Sequence, residues 1–151
     1  MQARINNPAV IHADTMKALV ALKKSTEGKG VPSRTLELIE LRASQINGCS
    51  ACVDMHSRLA KKTGETDERL FTVAAWREAP FFTDAERAAL ALTESVTRIA
   101  DQSEAVPDAV WAEAARHYDE PALAALVIAI ANINVWNRFN VAVRQPVGSW
   151  G

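Results

Sequence analysis

The chain has 151 residues, with 17 Lys and Arg against 18 Asp and Glu, 48% hydrophobic residues and 23% charged ones. That length supports one domain over residues 1–151 with its own buried core, and the near-neutral charge speaks against general nucleic-acid binding, which needs a cationic surface to displace counterions. Two Cys in a chain this long do not form a disulfide scaffold, so chemistry is the better reading of them.

The N-terminal stretch 1–10 carries Arg4, Asn6, Asn7 and Pro8 and has no apolar h-region. The most apolar run, residues 123–136, is interrupted by Asn132 and Asn134 and falls short of the roughly 20 residues that span a bilayer. No membrane partner and a cytoplasmic location are therefore expected, where paired thiols stay reduced unless they turn over.

Helix follows helix along the chain. Residues Ala9 to Lys24 place Val10, Ala13, Lys17, Val20 and Ala21 at helical spacing, and the polar, Gly-containing stretch 25–30 breaks the pattern. Pro32 opens a second helix with Leu36, Ile39, Ala43 and Ile46 on one face. Asn47-Gly48 ends it, Gly suiting the left-handed cap conformation. A third helix runs from about Cys49 to Lys62 and stops at Gly64.

Asp67 is placed to cap a fourth helix, through Leu70, Val73, Ala74 and Arg77, closed by Pro80. Thr83 and Glu86 have capping-box spacing and start a fifth helix through Ile99. Pro107 and Pro121 each suit the first turn of a further helix. No segment alternates with period two, and no repeat of helical-array length stands out. The fold class is all-α, a bundle of six to seven helices.

The last helix, from Ala122 to about Val141, is apolar on nearly every side until Asn137. Such a helix must be covered all round, and a subunit interface completes the cover more readily than a handful of short helices. A central core position is the plainer alternative. Its amides, Asn132, Asn134, Asn137 and Asn140, either bond across that contact or cap neighbouring backbone. The four Trp (76, 111, 136 and 150) are too widely spaced for a cofactor box and read as core or interface. Arg77 and Glu86 read as structural ion-pair members around the 76–83 turn, and His117 as a cation at a helix end.

The stretch from Glu37 to His56 carries the chemistry. Cys49 and Cys52, three apart, lie on adjacent turns of one helix face with Cα atoms roughly 5 Å apart, inside the disulfide window. His56 follows Cys52 by four and stands over the same stripe. A thiol at a helix N-terminus meets oriented N–H groups that favour thiolate. If the second and third helices form an antiparallel hairpin about Asn47-Gly48, Glu37 and Glu40 lie about 13 and 9 Å from the turn, and His56 about 10 Å. Either carboxylate reaches the His, and the residues alone do not separate them.

A carboxylate-held imidazole makes a base for Cys52. The thiolate attacks the O–O bond of a hydroperoxide, leaving a sulfenic acid that condenses with Cys49 to a disulfide, which an external dithiol must reduce. Cys49, nearer the helix start, is expected to be the more accessible sulfur and the site of that exchange.

Glu37, twelve residues before C-x-x-C, with x-x-x-H following, resembles the AhpD-like alkylhydroperoxidase branch of the carboxymuconolactone decarboxylase superfamily. The stretch Ala75-Trp76-Arg77-Glu78-Ala79-Pro80-Phe81-Phe82-Thr83 and the run Glu86-Arg87-Ala88-Ala89-Leu90 carry the likeness further, over about residues 32–100. The resemblance selects Glu37 over Glu40. It implies Cys52 as the peroxide-attacking thiol, Cys49 as its resolving partner and His56 as the proton relay. It also implies an AhpD-like helical fold assembled as a trimeric or hexameric homo-oligomer. One departure stands out: Ala51 replaces the second His of the family's C-x-H-C pattern, removing one titrating group from the relay. Lactone decarboxylation is not expected, because the decarboxylase members lack the C-x-x-C.

Cys49, Cys52, His56 and Glu37 also offer four zinc ligands. Three sulfur or nitrogen donors within two turns of one helix are cramped, so no metal is expected, nor flavin or haem. The reading is a thiol-dependent peroxidase taking hydroperoxides and a dithiol or lipoyl-type protein reductant. The alternative is a non-catalytic helical oligomer whose C-x-x-C reports redox state.

Overall fold

Helical periodicity, caps and Gly punctuation produce an all-α fold, described over residues 2–149 by a computed structural model. The helices are α1 (Pro8–Ile11), α2 (Ala13–Lys24), α3 (Ser33–Ile46), α4 (Ser50–Lys62), α5 (Asp67–Thr72), α6 (Asp84–Thr97), α7 (Asp108–His117) and α8 (Glu120–Val143), with 3₁₀ turns at Val73–Ala75 and Ile99–Asp101. No strand occurs among the described residues. Trp150 lies outside them.

α3 lies at the centre. Leu36, Leu38, Ile39, Leu41 and Ala43 are buried around most of its circumference, and it packs against α4, α6 and α8. At its end Gly48 takes φ +65°, a left-handed conformation that lets the Cys49 N–H reach the Ser44 carbonyl at 3.0 Å. The chain reverses within three residues, and Cys49 becomes the N-cap of α4. Asn47 ties this turn to α8, its Nδ2 donating to Asn134 Oδ1 (2.9 Å) and Asn137 Oδ1 (2.8 Å). The α2–α3 turn also needs a glycine: Gly30 has φ +88°, and a Cβ there would stand 3.3 Å from the Ala122 Cβ at the start of α8.

Two expected boundaries differ. The first helix is broken at His12, whose backbone is extended. The short α1 is bound to α8, Arg4 N–H to the Val143 carbonyl (2.9 Å) and Asn7 to Asn140 (2.6 Å), and α2 restarts beyond the bend. The fourth helix is capped by Thr66 rather than Asp67 and ends at Thr72 instead of continuing to Arg77. The carbonyls of Trp76, Arg77, Ala79 and Phe82 are taken by the Arg87 guanidinium, so they need no helical N–H partners. The capping box at Thr83 and Glu86 forms in both directions.

α8 is long and apolar enough to cross a membrane by length and composition, yet more than half of its most apolar stretch is buried inside the fold. Three of its amides bond within the chain: besides Asn47, Asn137 donates to Ser44 Oγ (3.0 Å) and Asn134 to Thr97 Oγ1 (3.2 Å), and Asn140 accepts from Asn7. Ala124, Ala131 and Ala142 remain exposed on one face of α8 together with Arg138, and Val141 is exposed beside it.

Arg77 and Glu86 join two separate ion clusters. Arg77 stacks on Trp76 and pairs with Glu94 at 2.7 Å, whereas Glu86 pairs with Arg69 at 2.5 Å. His117 sits in the last turn of α7, its Nε2 3.2 Å from Glu113. Burial works against the charge on Glu65 and Glu94, but hydrogen bonds from Arg34 and Arg69 to the first, and from Arg77, Trp76 and Arg42 to the second, hold each pKa down to about 2. A depressed carboxyl pKa contributes stability above its unfolded value, here 4.5, that is lost as pH falls toward 2. The urea midpoint is therefore expected to stay level from about pH 7 to about pH 5 and to drop steadily below that. A midpoint unchanged through the acid range would contradict it.

Candidate active site

The C-x-x-C opens α4 because Cys49 caps the helix and Cys52 falls on its first turn, leaving their Cα atoms 5.4 Å apart with the sulfurs paired as a disulfide. The first-turn N–H of Cys52 points at Cys49 Sγ (3.4 Å). Cys52 Sγ takes its hydrogen bond from elsewhere: Asn140 Nδ2 on α8, at 3.1 Å. One turn on, His56 is 2% exposed. Both sulfurs are buried, Cys49 at 2% and Cys52 at 1% exposed, so exposure does not separate them, and Cys52 is the one that lines the neighbouring cavity. Their burial follows from the hairpin turn, which α8 covers through Asn47.

Glu37 and Glu40 both face His56 from α3. Nδ1 is 3.0 Å from Glu37 Oε2 and 3.3 Å from Glu40 Oε2. The either-or posed by the helical wheel is thus not how the two carboxylates are used, since both converge on one nitrogen. Lys23, from the last turn of α2, completes the group at 2.7 Å from Glu40 and 3.4 Å from Glu37. Burial pushes Glu40 up despite the charges of His56 and Lys23. For Glu37 burial acts the same way, but the hydrogen bond to His56 and the Lys23 charge outweigh it and its pKa is lowered. Burial also opposes the charge on Lys23, and the two carboxylates more than restore it. The acidic pair is driven apart, Glu37 toward the carboxylate and Glu40 toward the acid.

Beside this group lies a cavity of about 450 Å³. Met16, Leu19 and Val20 of α2, Met55 and Leu59 of α4 and Ile133 and Trp136 of α8 give it apolar walls. Cys52, His56, Glu40, Lys23, Asn132 and Asn140 bring polar atoms to it. With Nδ1 engaged by carboxylate, the neutral imidazole carries its proton there and leaves Nε2 as an acceptor. That buried Nε2 has no hydrogen-bond partner, and neither has Asn132 Oδ1. An apolar hollow with a few convergent acceptors is the usual form of a small-molecule site.

Glu37, Glu40 and His56 offer ligand atoms within 4.8 Å of one another, enough in principle to hold a metal ion. The Lys23 ammonium already supplies a cation between the carboxylates, and neither sulfur belongs to the group. The donor set therefore suits an ion-paired relay better than a metal.

All four predicted residues, Glu37, Cys49, Cys52 and His56, fall in one neighbourhood. The sequence places neither Lys23 nor Asn140 at the site, although it marks Asn140 among the amides of the apolar helix. The four amides on an apolar helix were the available signal, because a buried amide needs partners.

Residues 13–95 match the carboxymuconolactone decarboxylase family, a span that takes in α2 and Lys23 as well as the C-x-x-C. YdfG of Bacillus subtilis, itself uncharacterized, is 41% identical over 92% of this chain and 93% of its own. The chain belongs to this family, in its AhpD-like branch. The crystal structure of an Agrobacterium tumefaciens protein of unknown function, provisionally named for the antioxidant defence protein AhpD, superposes with a TM-score of 0.88 at 35% identity, covering 97% of this chain and 98% of that one. The debrominase Bmp8 has the same fold, with a TM-score of 0.78 at 25% identity over 93% of this chain and 74% of its own. A family whose members are often enzymes and a disulfide at the Cys49–Cys52 pair are consistent with a redox role.

Proposed function

We propose that the chain is a thiol-dependent peroxidase and disulfide oxidoreductase of hydroperoxides. The observation that carries this reading is a redox-paired Cys52 lining an apolar cavity together with a carboxylate-held His56 whose outer nitrogen is unpartnered.

In the first step the Cys52 thiolate attacks the distal oxygen of ROOH, the O–O bond breaks and Cys52 becomes a sulfenic acid. His56 takes the proton from the Cys52 thiol at Nε2 and returns it to the departing alkoxide, so ROH leaves. The Cys49 thiol then displaces water from the sulfenic sulfur and forms the disulfide. A dithiol or lipoyl-type protein reduces it by two exchanges, ending as its own disulfide. Glu37 holds the imidazole tautomer and offsets its charge while it carries the proton, and Lys23 keeps the carboxylate cluster from accumulating uncompensated charge. Ala51 leaves His56 as the single imidazole of the C-x-x-C stretch. The exposed face of α8, with Ala124, Ala131, Arg138 and Ala142, is the subunit contact in this reading, giving a homo-oligomer that light scattering would detect as a multiple of 16.4 kDa.

The test is consumption of hydrogen peroxide and of an organic hydroperoxide with dihydrolipoamide as reductant. Cys52→Ser is expected to abolish turnover, and Cys49→Ser to stop after one equivalent with a sulfenic acid trappable by dimedone. Burial of both sulfurs favours a second reading, a redox sensor that an external reductant reaches only slowly. One stoichiometric oxidation without turnover under several reductants would select that reading over the peroxidase.

A further inference from the structure

The helix N-terminus of α4 gives its hydrogen bond to Cys49, so the sulfur that faces the cavity depends on a different donor. An amide side chain offers either an N–H or an oxygen, and which way it points must follow from its partners. Here a backbone group decides. The Ala9 N–H donates to Asn7 at 2.9 Å, so the atom it meets is Oδ1. Asn7 Nδ2 is thereby turned to Asn140 at 2.6 Å, so Asn140 presents Oδ1 to Asn7 and Nδ2 to Cys52 Sγ at 3.1 Å. Reversing Asn140 alone would set one NH₂ against another, and reversing both would set the Asn7 NH₂ against the Ala9 N–H. Asn7 and Asn140 are 3% and 4% exposed, so water does not relieve either clash.

We propose that Asn140 is a catalytic residue that donates a fixed N–H to the Cys52 thiolate, and that Asn7 is the positioning residue that aims it. This rests on Cys52 being the reacting sulfur. A thiolate accepts a hydrogen bond far better than a thiol or a disulfide does, so the donor stabilises the charged form selectively. It acts twice. Before peroxide attack it raises the share of Cys52 that is thiolate. During reduction a reductant thiolate bonds to Cys49, the Cys49–Cys52 bond breaks, and its electron pair leaves on Cys52 as the thiolate beside Asn140. A neutral donor suits this position. The titratable groups facing the cavity are Lys23, Lys24 and Glu27 from α2 and the residues after it, Glu40 from α3 and Cys52 and His56 from α4, with Glu37 behind His56, while α8 brings no charged side chain to it. Three carboxyl groups, Glu27, Glu37 and Glu40, already stand around the cavity, and an amide supports the thiolate without adding charge.

The test follows Cys52 ionisation by ultraviolet thiolate absorbance against pH in a Cys49→Ser background. Asn140→Leu removes the donor, and Asn7→Asp keeps an acceptor for Ala9 while drawing the Asn140 NH₂ away from the sulfur. Asn7→Ser retains the cap without adding charge and separates release of Asn140 from the Asp charge. All three are expected to move the midpoint upward, by about one pH unit for Asn140→Leu, which is a tenfold smaller thiolate fraction below the midpoint. Asn7 variants carry the test if Asn140→Leu fails to fold. Unchanged midpoints in the folded variants overturn the proposal. The measurement needs no peroxide, so a protein without turnover but with shifted midpoints would sink the peroxidase reading and leave the support of the Cys52 thiolate by Asn140 and Asn7 standing.

Discussion

Replacing Glu94 with Ala is expected to cost about 3–5 kcal/mol of folding stability, the range for stripping one partner from a buried ion pair. Glu94 is 5% exposed on α6 and serves three segments at once. Its Oε1 accepts from Arg42 of α3 at 2.7 Å and from the Trp76 indole N–H at 3.0 Å, and its Oε2 accepts from Arg77 at 2.7 Å, with Arg98 3.4 Å away. Arg77 and Arg98 are exposed enough to recover water when the carboxylate goes. Arg42 and Trp76 are not: the Arg42 side chain is 12% exposed and Trp76 is 6% exposed. The cost is therefore a stranded guanidinium and a stranded indole N–H, not merely the loss of an attraction. Glu94→Gln keeps an acceptor at the same place and should lose less than Ala does. Urea unfolding measures both, and an Ala variant within about 1 kcal/mol of the parent would show that Arg42 finds another partner.

How far the sequence carries depends on the range of each interaction. Cys52 and His56 share a face because four residues make one helical turn, and Thr83 and Glu86 cap α6 because three residues span its first turn. Gly48 announced the reversal that brings α3 against α4, and with it the depth match of Glu37 and Glu40 to His56. These are local rules or one hairpin away from local. The missed contacts are not. Asn140 meets Cys52 across 88 residues and Asn7 across 133, and no periodicity links them. Lys23 stands at the end of α2, where a solvated cation is the default, and it is the packing of α2 against α8 that brings it to Glu37 and Glu40. The turn after α5 is likewise held from a distance, because the Trp76, Arg77 and Ala79 carbonyls are taken by Arg87, a side chain from α6.

His56→Ala is expected to lower hydroperoxide turnover by about 100-fold to 10,000-fold, the span of a positioned general acid and base. The two carboxylates should then divide unequally. Glu37 is the nearer to Nδ1, at 3.0 Å against 3.3 Å, and the one held in its charged form, so it is the group able to balance an imidazolium. Glu40 is pushed toward the acid by burial and spends its oxygen on Lys23. Glu37→Gln leaves an acceptor for the Nδ1 proton but no charge, and should show only part of the loss seen in His56→Ala, whereas Glu40→Gln should act mainly through Lys23 and cost less. The pH profile separates charge from shape. A lowered Glu37 pKa keeps the carboxylate ionised to below its ordinary value of 4.5, so in the parent the acid limb of turnover should not follow an unperturbed carboxyl. Equal losses in Glu37→Gln and Glu40→Gln would mean that the cluster shares its charge as one unit, and a larger loss in Glu40→Gln would transfer the relay to the deeper carboxylate.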